Sequence, residues 1–254
     1  MITKDPLTLT GRKLGALVLP DFCERCYWIR EHLEGDPPFA IPMPGIFNSI
    51  DAQTKHVVHA YFTKHGHAPE WLSEIGNDLE SYVDGGLLSW RRYSYHDPKT
   101  GVLLRGSPDD IFIARDGSHC LVDYKTARWT PAQDRLLPMY AIQVNAYAYI
   151  AERARTFRPM RSVTLVYCEP VTGDIPAHDS TNHQPRGFKL GFAPKVVPVE
   201  LDLAQIPPLM RRAREILSLD KPPERKLGCE GCYAIADLFF VHDGVLFTKD
   251  RAKK

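Results

Sequence analysis

The 254-residue chain has no long hydrophobic run. No stretch approaches the ~18–20 consecutive apolar residues that a membrane helix needs. The run from Leu14 to Leu19 is broken by Gly15 and is too short for a secretory signal. There is also no surplus of one charge: Lys plus Arg number 32 and Asp plus Glu 31, a net +1. Blanket phosphate neutralisation of the histone kind, which needs a large positive excess, is excluded. Internal repeats and low-complexity tracts are absent. With 44% hydrophobic and 25% charged residues, disordered, collagen-like and fibrous classes are excluded as well. Cysteines number only six. A cytoplasmic, reducing setting is expected, where cysteines serve as metal ligands or buried thiols rather than as disulfides.

What is present is a hydrophobic period that changes along the chain. Helical spacing is read over Phe22–Leu33, from Asn48 or Ser49 to about Lys64, and over Pro69–Tyr82. The middle turns to β-forming residues. Leu88–Tyr95, Leu103–Arg115 and His119–Thr126 read as three antiparallel strands, with turn signals at Pro98–Gly101 and Asp116–Gly117. Met139–Arg155 returns to helical spacing. Ser162–Cys168 reads as a strand, Gly187–Leu201 as one or two more, and Leu203–Leu217 as a long helix. The order predicts an α/β fold with a mixed central sheet flanked by helices. The whole chain, 1–254, is expected to form one domain. Its core spans about 45–170, with extensions at 1–44 and 200–254.

The most informative segment is Gly106 to Ala127. A hairpin across Asp116–Gly117 is expected to bring Asp109 beside Asp123, and Asp123 and Lys125 are two apart on one strand face. Two carboxylates and one ammonium then point at one place. Carboxylates favour a hard divalent ion such as Mg²⁺. Such an ion polarises a scissile phosphate and lowers the pKa of a bound water, while a nearby lysine stabilises developing charge. A charge left unpaired in inner strands would be costly, so these groups need a functional reason.

Gly106-x-x-Asp109, Asp123-Tyr124-Lys125-Thr126 and Gln143-x-x-x-Tyr147 together resemble the PD-(D/E)XK nuclease superfamily, in its RecB-like exonuclease branch. The resemblance implies a restriction-endonuclease-like core. It makes Asp109 and Asp123 metal ligands with the Tyr124 carbonyl, Mg²⁺ or Mn²⁺ the ion, and Lys125 the catalytic lysine. Gln143 and Tyr147 lie one helical turn apart, so both can face the site. The branch usually carries a histidine on the helix before the strands. Here that helix offers Asp51, His56 and His59, with Asp51 favoured and His59 second.

Cys23-x-x-Cys26 and Cys229-x-x-Cys232 stand near opposite ends of the chain. Two such pairs argue for one four-thiolate site fastening the terminal segments together. Zn²⁺ and an iron–sulfur cluster both suit four thiolates. The resemblance extends to CRISPR-associated exonucleases and favours a 4Fe–4S cluster, with Zn²⁺ as the alternative. Cys120 and Cys168, alone in apolar strands, read as core residues.

Local basic clusters offer a phosphate-binding face: Arg153 to Arg161, Arg211 to Lys226, and the aromatic–basic run Trp90–Tyr95. The expected activity is hydrolysis of single-stranded DNA ends, alongside helicase, CRISPR or recombination proteins, in repair, recombination or phage DNA processing. Two other classes stand beside it. One is a non-cleaving DNA- or partner-binding module on the same fold. The other is a redox protein, which leaves Asp109, Asp123 and Lys125 unexplained.

Overall fold

The computed structural model describes residues 6–33 and 44–242. The strands are β1 (Leu7–Thr10), β2 (Leu79–Tyr82), β3 (Ser94–Asp97), β4 (Val102–Arg105), β5 (Asp110–Ala114), β6 (His119–Lys125), β7 (Met160–Pro170), β8 (His183–Gln184), β9 (Gly187–Phe188) and β10 (Phe192–Val199). The helices are α1 (Gly11–Gly15), α2 (Glu24–His32), α3 (Gly45–His65), α4 (Pro131–Ala154), α5 (Asp174–His178), α6 (Ile206–Leu217) and α7 (Glu230–His242). None is long and apolar enough to cross a membrane.

Five strands form the central sheet in the order β10-β7-β6-β5-β2. β6 and β7 run parallel, and the other pairs are antiparallel. A parallel pair needs a long crossover, and α4 supplies it. β6 and β7 are therefore covered on both faces and read as near-continuous apolar runs. Side chains of β6 alternate between two cores. Cys120, Val122 and Tyr124 join Val58 and Phe62 of α3, while Leu121 joins Ile142, Ala146 and Ile150 of α4. Cys120 and Cys168 are both buried in the α3-side core, as their apolar surroundings predicted.

The expected mixed sheet flanked by helices is present, with local differences. The helix expected over Pro69–Tyr82 is a single 3₁₀ turn, Glu70–Leu72, followed by β2. Gly76 and Asn77 weaken helical continuation. Pairing of Leu79 with Ala114 and a fork of two hydrogen bonds from Arg161 to Asp78, 2.8 and 2.9 Å, fix the extended path. Residues 88–93 make turns, so the strand expected at Leu88–Tyr95 begins only at Ser94. Leu103–Arg115 is two strands in two sheets. β4 joins β1 and β3 in a separate three-stranded sheet, and β5 enters the central one. Pro108, which has no N–H for a ladder, lies in the break between them. β1 and α1 were not legible in the hydrophobic pattern, nor was α7.

Helix α1 lies directly on α4. A Cβ at Gly11 would meet the Gln143 carbonyl oxygen at 2.9 Å, and one at Gly15 the Met139 carbonyl oxygen at 2.3 Å. Two glycines four apart thus allow backbone-to-backbone approach at the turn of α4 that carries Gln143. Helix α6 buries Ile206, Met210, Ala213, Ile216 and Leu217, a helical stripe against the same core.

Candidate active site and cysteine centre

The site gathers at the end of β6, where sheet, α3 and α4 meet. Asp109 sits in the bend one residue before β5, not on the strand as expected. Its Oδ2 accepts the Tyr124 N–H at 2.7 Å, which ties this bend to β6. Asp123, 3% exposed, faces the α4 side of β6 with Lys125. Lys125 Nζ lies 2.5 Å from Asp123 Oδ2 and donates to Gln143 Oε1 at 3.2 Å. Gln143 Nε2 in turn reaches Asp123 Oδ1 at 3.5 Å and donates to the Tyr147 hydroxyl at 2.8 Å. The structure thus brings Asp109, Asp123, Lys125, Gln143 and Tyr147 together. Lys125 also rests over the Tyr140 ring, 4.1 Å from its centroid.

Of the first-motif candidates, Asp51 is connected to this group through Lys55. The Lys55 ammonium bridges Asp109 Oδ1 at 2.6 Å and Asp51 Oδ2 at 2.8 Å. His59 does not join them. Its Nε2 is 2.6 Å from Oδ1 of buried Asp110, and its ring stacks on Tyr82 at 4.0 Å. His56 is exposed. Position on one helix explains the split: Asp51 and Lys55 are one turn apart, and His59, a further turn along, has passed the bend that holds Asp109.

The electrostatics show a deficit of positive charge. Burial first, and then the charge of Asp123, push Asp109 up to about 7 against the pull of Lys55. Burial opposes the Lys55 ammonium, yet Asp109 and Asp51 outweigh it and hold Lys55 above its ordinary value. Burial and then Asp123 raise the Tyr147 phenol, which therefore stays neutral. A buried and a half-buried carboxylate that repel each other, each touched by a single lysine, are a donor set that a hard divalent cation fits.

Packing fixes this network from behind. The Tyr93 hydroxyl donates to the Tyr147 carbonyl oxygen at 2.8 Å. Gly106 passes beneath the Tyr147 ring, where a Cβ would meet Cδ1 at 2.5 Å. Lys55 and Asp110 were not singled out as site residues, and Tyr93, expected in the aromatic–basic run of a phosphate-binding face, is instead buried. The Asp51–Lys55 spacing was the one available signal, because the other contacts are made across the fold.

The family model of the PD-(D/E)XK nuclease superfamily matches residues 27–235. The chain belongs to this superfamily. No curated protein matches it. Pro108-Asp109 and Asp123-Tyr124-Lys125 spell the signature in the superfamily name. Membership implies a nuclease hydrolase that uses divalent metal and binds DNA.

A second centre joins α2 to α7. Cys23 caps α2 and Cys26 lies in its first turn, while Cys229 precedes α7 and Cys232 lies in its first turn. Sγ separations are 3.6 Å for Cys23–Cys232, and 3.5 Å for both Cys26–Cys229 and Cys26–Cys232. All four sulfurs lie within 4.8 Å of one another. Gly231 leaves the room: a Cβ there would sit 3.1 Å from Cys26 Sγ. Burial alone would raise the Cys23 thiol, but the N–H groups of Cys26 and Lys226 and the facing thiols bring it down to about 6. Burial raises Cys26 and Cys232. Four facing thiols are a set that a metal or cluster would complete by releasing protons.

Several basic residues of the expected phosphate face are occupied within the fold. Arg161 holds Asp78, Arg212 holds Glu24 and Glu215, Arg214 donates to the Gly101 carbonyl oxygen, and Lys226 to that of Pro20.

Proposed function

We propose that the protein is a Mg²⁺- or Mn²⁺-dependent deoxyribonuclease of the RecB-like kind. In this reading it is an exonuclease on single-stranded DNA ends, in repair, recombination, or phage or CRISPR DNA processing. The observation that carries the reading is the chain Asp123–Lys125–Gln143–Tyr147, with Asp109 tied to the same end of β6 through the Tyr124 N–H. Asp109, Asp123 and the Tyr124 carbonyl would hold the ion, with Asp51 as the neighbouring carboxylate. When bound, the ion supplies charge stabilisation at the phosphate and a water of lowered pKa. Lys125, aimed by Asp123 and Gln143, donates to a phosphate oxygen or to the attacking water. Gln143 fixes that ammonium, and the neutral Tyr147 phenol fixes Gln143. Preorganised donors of this kind cost no reorganisation during reaction. Residues 1–254 act as one nuclease domain, and the packing of α1 and α6 on α4 supports this.

For the cysteine centre the sulfur spacing supports a single Zn²⁺ over the 4Fe–4S cluster that the resemblance favours. Zn–S bonds of about 2.3 Å give a tetrahedron with edges of about 3.8 Å, close to the separations observed. In a cluster each thiolate binds its own iron, which spreads the sulfurs. Metal analysis and the visible spectrum of protein purified without oxygen decide between them.

A second reading, a DNA-binding module that does not cut, is favoured by one observation: the Lys55 ammonium already bridges Asp109 and Asp51. Degradation of end-labelled single-stranded DNA with Mg²⁺ or Mn²⁺ tests both. Cleavage abolished by chelation and by Asp123→Ala is the expected result. Cleavage that survives Asp123→Ala overturns the site, and binding without cleavage by fully metallated protein selects the module.

A further inference from the structure

An exposed aromatic carries two arginines over its ring, neither of them in an ion pair among the described residues. Trp90, in the turns before β3, is 54% exposed. The Arg91 guanidinium lies 5.3 Å from the centroid of this indole, and the Arg105 guanidinium lies 5.5 Å from it. Among the described residues no carboxylate pairs with either arginine. The buried Nε of Arg105 has no hydrogen-bond partner there. These charges contrast with Arg161, Arg212 and Arg214, which the fold occupies.

Chain connectivity places this group near the chemistry. Arg105 ends β4, and the next four residues lead to Asp109. Four extended residues span at most about 14 Å, which is about four stacked nucleotides at ~3.4 Å each. Tyr93, three residues after Trp90, is locked to Tyr147 through its hydroxyl, so the platform and the catalytic network share one rigid support.

We propose that Trp90, Arg91 and Arg105 form a stacking platform for unpaired bases of a DNA strand, a few nucleotides from the scissile phosphate. A base displaces a guanidinium from the indole face and stacks there, and the two guanidinium groups swing to the flanking phosphates. A duplex keeps its bases stacked on each other and offers no such face, so the platform distinguishes single strands from duplexes. It rests on the nuclease reading for its place in catalysis, and its binding can be measured without cleavage.

The test is fluorescence anisotropy of a labelled oligo(dT) and of a blunt duplex, both without added Mg²⁺ or Mn²⁺ and without chelator, so that nothing is cut and the cysteine centre keeps its metal. Stacking of one base on an aromatic is worth about 1–3 kcal/mol. Trp90→Ala is therefore expected to weaken oligo(dT) binding about 5- to 150-fold, with duplex binding unchanged. Trp90→Phe should retain most of the affinity. Arg91→Gln and Arg105→Gln should each reduce the salt dependence of oligo(dT) binding by about 0.7 in log–log slope. Unchanged melting temperatures show that the variants fold. Wild-type oligo(dT) affinity in folded Trp90→Ala, or equal loss on the duplex, overturns the platform. Trp90-dependent binding by a protein that never cuts upholds the platform and removes the nuclease reading.

Discussion

Replacing Gly106 by alanine should damage both stability and catalysis through a single clash. Gly106 does not adopt a left-handed conformation, so alanine imposes no backbone strain there. By chain entropy alone the substitution would stabilise the protein, by about 0.4–1 kcal/mol. The new Cβ would, however, lie 2.5 and 2.7 Å from two carbons of the Tyr147 ring. Ordinary contact begins near 3.4 Å, so the ring must retreat by roughly 1 Å. Its hydroxyl accepts from Gln143, and Gln143 aims Lys125. Overpacking of this size costs about 1–3 kcal/mol. For a domain of this length that lowers the melting temperature by about 2–12 °C. A misplacement of about 1 Å at a positioning group can cost up to about 10²-fold in rate. Thermal unfolding and hydrolysis of end-labelled single-stranded DNA read the two effects. In the Gly106→Ala/Tyr147→Ala pair the stability penalty of Gly106→Ala should vanish, because the ring it strikes is gone. A Gly106→Ala protein that melts at or above the wild-type temperature with wild-type kcat would refute the reasoning.

Lys55→Met should bind Mn²⁺ more tightly and be less stable without metal, since the cation shared by Asp109 and Asp51 is removed; calorimetric titration and melting with and without metal measure both. The raised pKa of Asp109, about 7, sets a pH dependence with a defined sign. A carboxyl that holds its proton more tightly folded than unfolded adds stability at low pH and loses it as pH rises from about 4 to about 7. The metal-free wild type should therefore lose stability across that window relative to Asp109→Asn, and Mn²⁺ affinity should rise as Asp109 deprotonates. Cys229→Ser should release the bound metal and lower the melting temperature, because binding at such a site is coupled to folding; metal content per chain and a melting curve check it.

Much of the site was readable because its residues are close in sequence. Asp123 and Lys125 share a strand face by the two-residue period, Gln143 and Tyr147 share a helix face by the four-residue spacing, and both pairs meet in the structure. The two Cys-x-x-Cys pairs were legible for the same reason, although nothing local said that their sulfurs would converge. The misread helix at Pro69–Tyr82 shows the opposite case. Its apolar residues fit a helical period, yet pairing with β5 and the Arg161 grip on Asp78 held it extended.

Residue type and short-range period by themselves determined the α/β class, the pairing of Asp123 with Lys125 and of Gln143 with Tyr147, and the two Cys-x-x-Cys pairs. Only tertiary structure decided which side chain of α3 reaches the site. Asp51 and His59 each lie one turn from Lys55, and the position of the bend at Asp109 engages Lys55, and through it Asp51, while His59 goes to Asp110. It also decided that α1 lies on α4 through two glycines, that Gly106 must leave room for Tyr147, and that Arg105 turns toward Trp90. The physical reason is the same in each case. Local periodicity selects the face a residue occupies, but burial, close contact and charge pairing depend on which distant element the chain brings against that face.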